Sequence, residues 1–231
     1  LSLLRIFYRL GVRMIALTWN YENEIGVPNL TTDEAGTPLF DKRNSKGLTE
    51  FGIEMIQEME RLGMIVDVSH LSDGGFWDVL HHTTQPFVAS HSDAASECNV
   101  CRNLTDDMIR ALADRGGVMG LNYCHGFLTE SDKPTALSTD TSIFMDARKQ
   151  TKKISRMEDM VRHIKHIVNI GGIEVCGLGS DFDGIDNPVE FGNASGIQQL
   201  YETLVKSGFS EDDADKIFYK NVLRVYRDVL K

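Results

Sequence analysis

The sequence has no lysine- or arginine-rich run, no apolar stretch near the roughly 20 residues that span a bilayer, only five prolines and only four cysteines. Acidic side chains outnumber basic ones by 34 to 24, for a formal charge of -10. Without a cationic track for a phosphate backbone, nucleic acid is excluded as an expected partner. No membrane segment is expected, and the amphipathic stretch Leu1 to Leu10 lacks the apolar core and cleavage site of a signal peptide. Cys98, Cys101, Cys124 and Cys176 are too few for a disulfide framework in a chain this long, so a reducing, cytoplasmic compartment is expected. The Cys98-x-x-Cys101 pair has neither a second pair at zinc-finger spacing nor a redox-type aromatic context, and reads as incidental. Three sequons, at Asn29, Asn103 and Asn193, read as chance. The chain starts with leucine, and an upstream segment is expected.

What is present is the composition of a globular chain: 42% hydrophobic, 25% charged, 20 glycines. Five short apolar segments read as buried strands, namely Arg13 to Thr18, Met64 to Ser69, Phe87 to Ser90, Val118 to Asn122 and Glu174 to Gly179. They lack a polar alternation, as strands covered on both faces do. Helical patterns lie between them. Glu50 to Leu62 carries an apolar stripe at spacings of three and four and stops at Gly63. Thr105 to Arg115 opens on a cap-like Thr-Asp-Asp. Ser155 and Glu158 have capping-box spacing ahead of Met157 to Asn169. Ser195 to Ser207 and Ser210 to Leu230 read as closing helices. Strand and helix in alternation predict a parallel α/β fold, with Glu24 to Gly47 and Thr129 to Lys153 as loops over the strand ends.

The polar residues fall where such a fold places its chemistry. One apolar strand ends in Ser69-His70, the next in Ser90-His91, and a later one in Ser180-Asp181-Phe182-Asp183-Gly184. In a barrel of parallel strands these ends share one face, and imidazoles with carboxylates there suit a metal-dependent hydrolase. Plainer readings stand beside this one. A histidine after a strand can be structural, Asp181 can hydrogen-bond its own turn, and Arg102 can pair with Asp106 or Asp107. His125 is a weaker site candidate, His81 and His82 are placed after a helix, and His163 and His166 are placed on a helix surface.

Together the stretches Phe7 to Arg13 with Leu17-Thr18-Trp19-Asn20, Gly47 to Gly52, Leu62 to His70, Ser90-His91-Ser92, Arg102-Asn103 and Gly179 to Gly184 resemble the membrane dipeptidase (renal dipeptidase) family, the M19 metallopeptidases, in particular its bacterial members. The resemblance implies a TIM-barrel-like (β/α)8 metallohydrolase, with residues 1–231 as the C-terminal two-thirds of a single barrel domain lacking its N-terminal strands. It implies a dipeptide substrate, a cytoplasmic bacterial setting and two Zn²⁺ per complete site, and it leaves a homodimer open. His70 and His91 are implied as metal ligands, Arg102 as a group for the substrate carboxylate or oxyanion, and Asp181 as the catalytic carboxylate. The family's His-x-Asp motif and bridging glutamate would precede Leu1. Mammalian members carry histidine where this chain has Trp19, which leaves Asn20 as a candidate substitute donor at the substrate. The competing readings are another barrel amidohydrolase and an inactive scaffold or fragment.

Overall fold

The computed structural model describes residues 1–129 and 153–231. The expected loop Thr129 to Lys153 therefore lies almost wholly outside the described residues. Five parallel strands form one sheet in the order β1 (Met14–Ala16), β4 (Ile65–Asp67), β5 (Val88–Ala89), β6 (Val118–Asn122), β7 (Cys176–Ser180). All five fall on expected strands: β1, β4 and β5 are shorter than expected, β6 matches Val118 to Asn122, and β7 begins two residues after Glu174 and ends one after Gly179, while β1, expected to be buried, leaves Met14 and Ala16 exposed at the sheet edge. A hairpin of β2 (Thr31–Thr32) and β3 (Pro38–Leu39) lies within the insertion that follows β1.

The connections are helical: α1 (Ser2–Arg9), α2 (Glu50–Leu62), α3 (Asp73–His82), α4 (Asp106–Asp114), α5 (His125–Leu128) and α6 (Met157–Gly171). Thr49, Ser72 and Thr105 cap α2, α3 and α4 by accepting a backbone N–H from the first turn, which satisfies donors that a helix start otherwise leaves open. His81 and His82 sit in the last turn of α3 rather than after it. The expected capping box at Ser155 does not form. Arg156 is the N-cap residue, with no side-chain cap, and the Ser155 hydroxyl donates instead to the Tyr123 carbonyl at 2.6 Å.

After β7 come α7 (Gln198–Lys206), α8 (Glu211–Asp215), a π-helical turn over Lys216–Lys220 and α9 (Asn221–Val229). Ser210 and Asp213 close a reciprocal capping box on α8. The first residues of three neighbouring strands, Ile65, Val88 and Val118, pack with Val225 and Val229 of α9. The C-terminal helix thus covers the amino ends of the strands, and the polar residues lie at the opposite, carboxyl ends. A larger core between sheet and outer helices includes Ile56, Met59, Phe76, Val79, Ile109, Leu112, Met119, Ile164 and Ile167. Among the described residues, no helix is long and apolar enough to cross a membrane.

Candidate metal and catalytic site

The Ser-His pairs after β4 and β5 interlock. The His91 backbone N–H donates to Ser69 Oγ at 2.9 Å, so the serine of the first pair positions the histidine of the second. Within the second pair, Ser90 Oγ lies 2.7 Å from His91 Nδ1 and 2.5 Å from Asp67 Oδ2. Asp67 also accepts the backbone N–H groups of Ser69 and Ser90. It is a buried carboxylate inside an otherwise apolar strand, and burial pushes its pKa up against those hydrogen bonds and the charge of Arg102.

This network determines where the imidazole protons sit. Ser90 gives its single hydroxyl proton to Asp67, so it can only accept from His91 Nδ1–H. Asn20 presents its amide oxygen to His70 Nδ1 at 2.9 Å, which places a proton there too. Both Nε2 atoms then carry lone pairs, and the two face each other across 2.9 Å. Two bare lone pairs at that distance repel, whereas a shared divalent cation attracts both. With zinc–nitrogen bonds of about 2.0 to 2.1 Å, two nitrogens on one tetrahedral ion lie roughly 3 to 3.5 Å apart. The donor set fits a metal ion, and each ring's far nitrogen is held by a second residue, as in metal sites generally. Among the described residues, no group of three or more His, Cys, Asp and Glu side chains is placed to hold an ion.

Electrostatics keep both imidazoles neutral. Burial first, and then the positive charge of Arg102, hold His70 far below the usual histidine range and His91 down to about 3. His70 adopts φ 71°, and Ser180 and Asp181 adopt 47° and 68°. These three are the only non-glycine residues with positive φ among those described, and all lie at strand ends on this face. Strained backbone of this kind persists where its surroundings over-determine it, and it concentrates at functional sites.

Arg102 is buried at 5% exposure and donates through Nη2 to the His91 carbonyl at 3.2 Å. It does not pair with Asp106 or Asp107. Asp106 contacts His166 and Ser96, and Asp107 pairs with Arg110. The guanidinium carbon lies 5.6 Å from the Phe127 ring centre, and Nε has no partner among the described residues. Burial lowers the Arg102 pKa, opposed by the charges of Cys101, Asp181, Asp67 and Asp93. A buried cation with an uncommitted donor is suited to an anionic group on a ligand.

Asp181 sits past the end of β7. Its backbone carbonyl, not its side chain, accepts the turn N–H groups of Gly184 and Ile185. The carboxylate is left for Asn122, whose Nδ2 donates to Oδ2 at 3.0 Å. Burial raises the Asp181 pKa, opposed by that hydrogen bond and by Arg102, which favours a group that exchanges protons. Gly184 makes the arrangement possible, because a Cβ there would come within 2.2 Å of Asp181 Oδ1.

The other residues singled out in the sequence fall as follows. Asn20, expected at the substrate, is engaged with His70. His163, expected on a helix surface, is fully buried: Nδ1 accepts from Ala94 N at 3.2 Å and Nε2 faces the Leu128 carbonyl at 3.0 Å. His125 opens α5, with its backbone N–H on Asn187 and Nε2 3.4 Å from Thr129 Oγ1. The sequon residues Asn29 and Asn103 are buried and hydrogen-bonded. The insertion after β1 is tied down: Arg43 Nε bonds Asp73 Oδ2 at 2.6 Å, and Asn29 bridges Asp73 and the Cys101 carbonyl. All four cysteines are free thiols.

Imidazoles, a carboxylate and a buried guanidinium at the carboxyl ends of parallel strands define the class, a TIM-barrel-like fold with the site layout of metal-dependent hydrolases. The chain belongs to the membrane dipeptidase family, peptidase family M19, whose family model matches residues 1–231. It is 38% identical over 229 residues to an uncharacterized protein encoded in the pqqA 5' region of Klebsiella pneumoniae, covering 98% of this chain and 75% of that protein. An uncharacterized dipeptidase of Schizosaccharomyces pombe is 33% identical, with 98% of this chain matched to 49% of that one. In structure the chain is similar to a metallo peptidase from Rhodobacter sphaeroides liganded with a phosphinate mimic of the dipeptide L-Ala-D-Ala: TM-score 0.84, 27% identity, 99% of this chain and 59% of the other. The chain thus spans between about half and three quarters of these relatives.

Proposed function

We propose that the protein acts in the hydrolysis of dipeptides with zinc as its metal. The observation that carries this reading is the facing pair of Nε2 lone pairs, 2.9 Å apart, on the same face as Asp181 and Arg102. A bound divalent ion supplies acidified water and polarises the scissile carbonyl. His70 and His91 would hold such an ion, with Asn20 and the Ser90–Asp67 pair fixing their rings. Arg102 binds the free carboxylate of the dipeptide, for which a guanidinium is well matched. Asp181 takes a proton from the attacking water as the new C–O bond forms, and delivers it to the leaving nitrogen as the C–N bond breaks. Among the described residues, His70 and His91 are the one facing imidazole pair, and a two-zinc site would need further ligands beside them. Cytoplasmic placement is supported by the four free thiols.

The test is metal analysis together with a dipeptide assay on the metal-loaded full-length protein. Histidine variants at positions 70 and 91 should lose metal and turnover together. Turnover that persists after complete metal removal would overturn the reading.

A further inference from the structure

We propose that Asn122 is a positioning residue for the reaction, the group that aims the Asp181 carboxylate so that Oδ1 meets the leaving nitrogen. The inference rests on the proposed dipeptidase reading. Asn122 is the last residue of β6, has no solvent exposure, and hydrogen-bonds through its backbone N–H and both atoms of its side-chain amide. Its backbone N–H donates to Asp93 Oδ1 at 2.8 Å. Its side-chain Oδ1 accepts from Cys124 N at 2.7 Å, which settles the amide orientation because only the oxygen can receive that N–H. Nδ2 is thereby turned toward Asp181 Oδ2 at 3.0 Å, with the His91 carbonyl at 3.4 Å.

One amide therefore touches both the backbone of an expected metal ligand and the expected proton carrier. Asp181 Oδ1 makes no hydrogen bond among the described residues, so Asn122 holds one carboxylate oxygen and leaves the other for chemistry.

The backbone converges on the same contact. Pairing of β6 with β7 runs Leu121 to Leu178 and then Asn122 to Ser180, skipping Gly179. This irregularity and the left-handed Ser180 and Asp181 carry the carboxylate back over the end of β6. Tyr123 N bonds the Ser180 carbonyl at 3.0 Å and locks the shift. The charged or titratable groups facing Asp181 and Asn122 are Arg102, Asp93 and Cys124. Arg102 has no ion pair with Asp181 within bonding distance among the described residues, which leaves the Asn122 amide as the directional contact.

The test compares a dipeptide with the matching depsipeptide, in which an ester replaces the amide, using the metal-loaded full-length protein. An alkoxide leaves without prior protonation far more readily than an amide nitrogen, so the ester depends less on an aimed Asp181. Asn122→Ala should lower kcat on the dipeptide by at least about tenfold, the scale of misplaced catalytic groups. KM and metal content should stay near wild type, and the ester should lose much less. Asn122→Ser, whose hydroxyl is too short to reach Asp181, serves the same test if the alanine variant does not fold. Equal losses on amide and ester, or no loss on either, would overturn the proposal. Asp181→Asn measured in parallel separates the two levels. If that variant keeps its kcat, the functional reading fails; if it collapses while the Asn122 variants do not, only the inference about Asn122 fails.

Discussion

Ser90 stands between Asp67 and His91, giving its proton to the carboxylate at 2.5 Å and taking one from His91 Nδ1 at 2.7 Å. A hydroxyl so placed fixes the imidazole tautomer, because a reversed ring would leave Nε2 protonated and unable to bind a cation. Ser90→Ala should therefore weaken metal affinity by about 10- to 100-fold while the fold survives, as for other residues that orient metal ligands. Chelator competition against the wild type measures it. Unchanged affinity would mean that the tautomer is set elsewhere.

Gly184→Ala places a methyl within 2.2 Å of the Asp181 carboxylate. The carboxylate must move, so kcat should fall on the order of 10²-fold with metal content retained. Metal content and steady-state kinetics on the same preparation check this.

Arg102→Lys keeps the charge but loses the planar fork. The kcat/KM for a free dipeptide should fall far more than that for the same dipeptide with its C-terminal carboxylate amidated. An equal fall for both would make Arg102 a purely structural cation beside His91.

Much of this was legible in the sequence. Strands buried on both faces read as apolar runs, as β4, β5 and β6 do, whereas β1 is largely exposed and β7 is buried only over its first two residues; the order of the five along the chain and the polar residues at their ends could still be found directly. His163 was misread, although Met160, His163, Ile164 and Ile167 form an i, i+3, i+4, i+7 stripe and all four are buried; histidine hides in such a stripe because it counts as polar. Ser155 had capping-box spacing with Glu158, but the buried Tyr123 carbonyl claims its hydroxyl. Asn122 left no signal, since an asparagine at a strand end looks like any turn former. Its role depends on a register shift against a strand 54 positions away in sequence at its start, Cys176, which no local pattern encodes.

His163 also carries a pH prediction. Burial holds its pKa down to about 4, below its ordinary 6.5. A histidine kept neutral in the folded state binds protons more readily when unfolded. Its stabilising contribution is therefore complete above about 6.5 and is lost as pH falls through about 4. His163→Gln should be less stable at neutral pH and show a flatter loss of stability between those limits, measured by denaturant titration at a series of pH values. Parallel curves would show that His163 does not titrate in that window.

The central claim is that paired imidazoles hold a metal beside a carboxylate that moves the proton. It is tested most directly by measuring bound zinc and dipeptide kcat in wild-type and Asp181→Asn full-length protein. The account predicts equal zinc in both and a kcat at least ~10²-fold lower in the variant, the usual scale for a lost general acid or base. A variant that keeps its zinc and turns over dipeptide at the wild-type rate would contradict it.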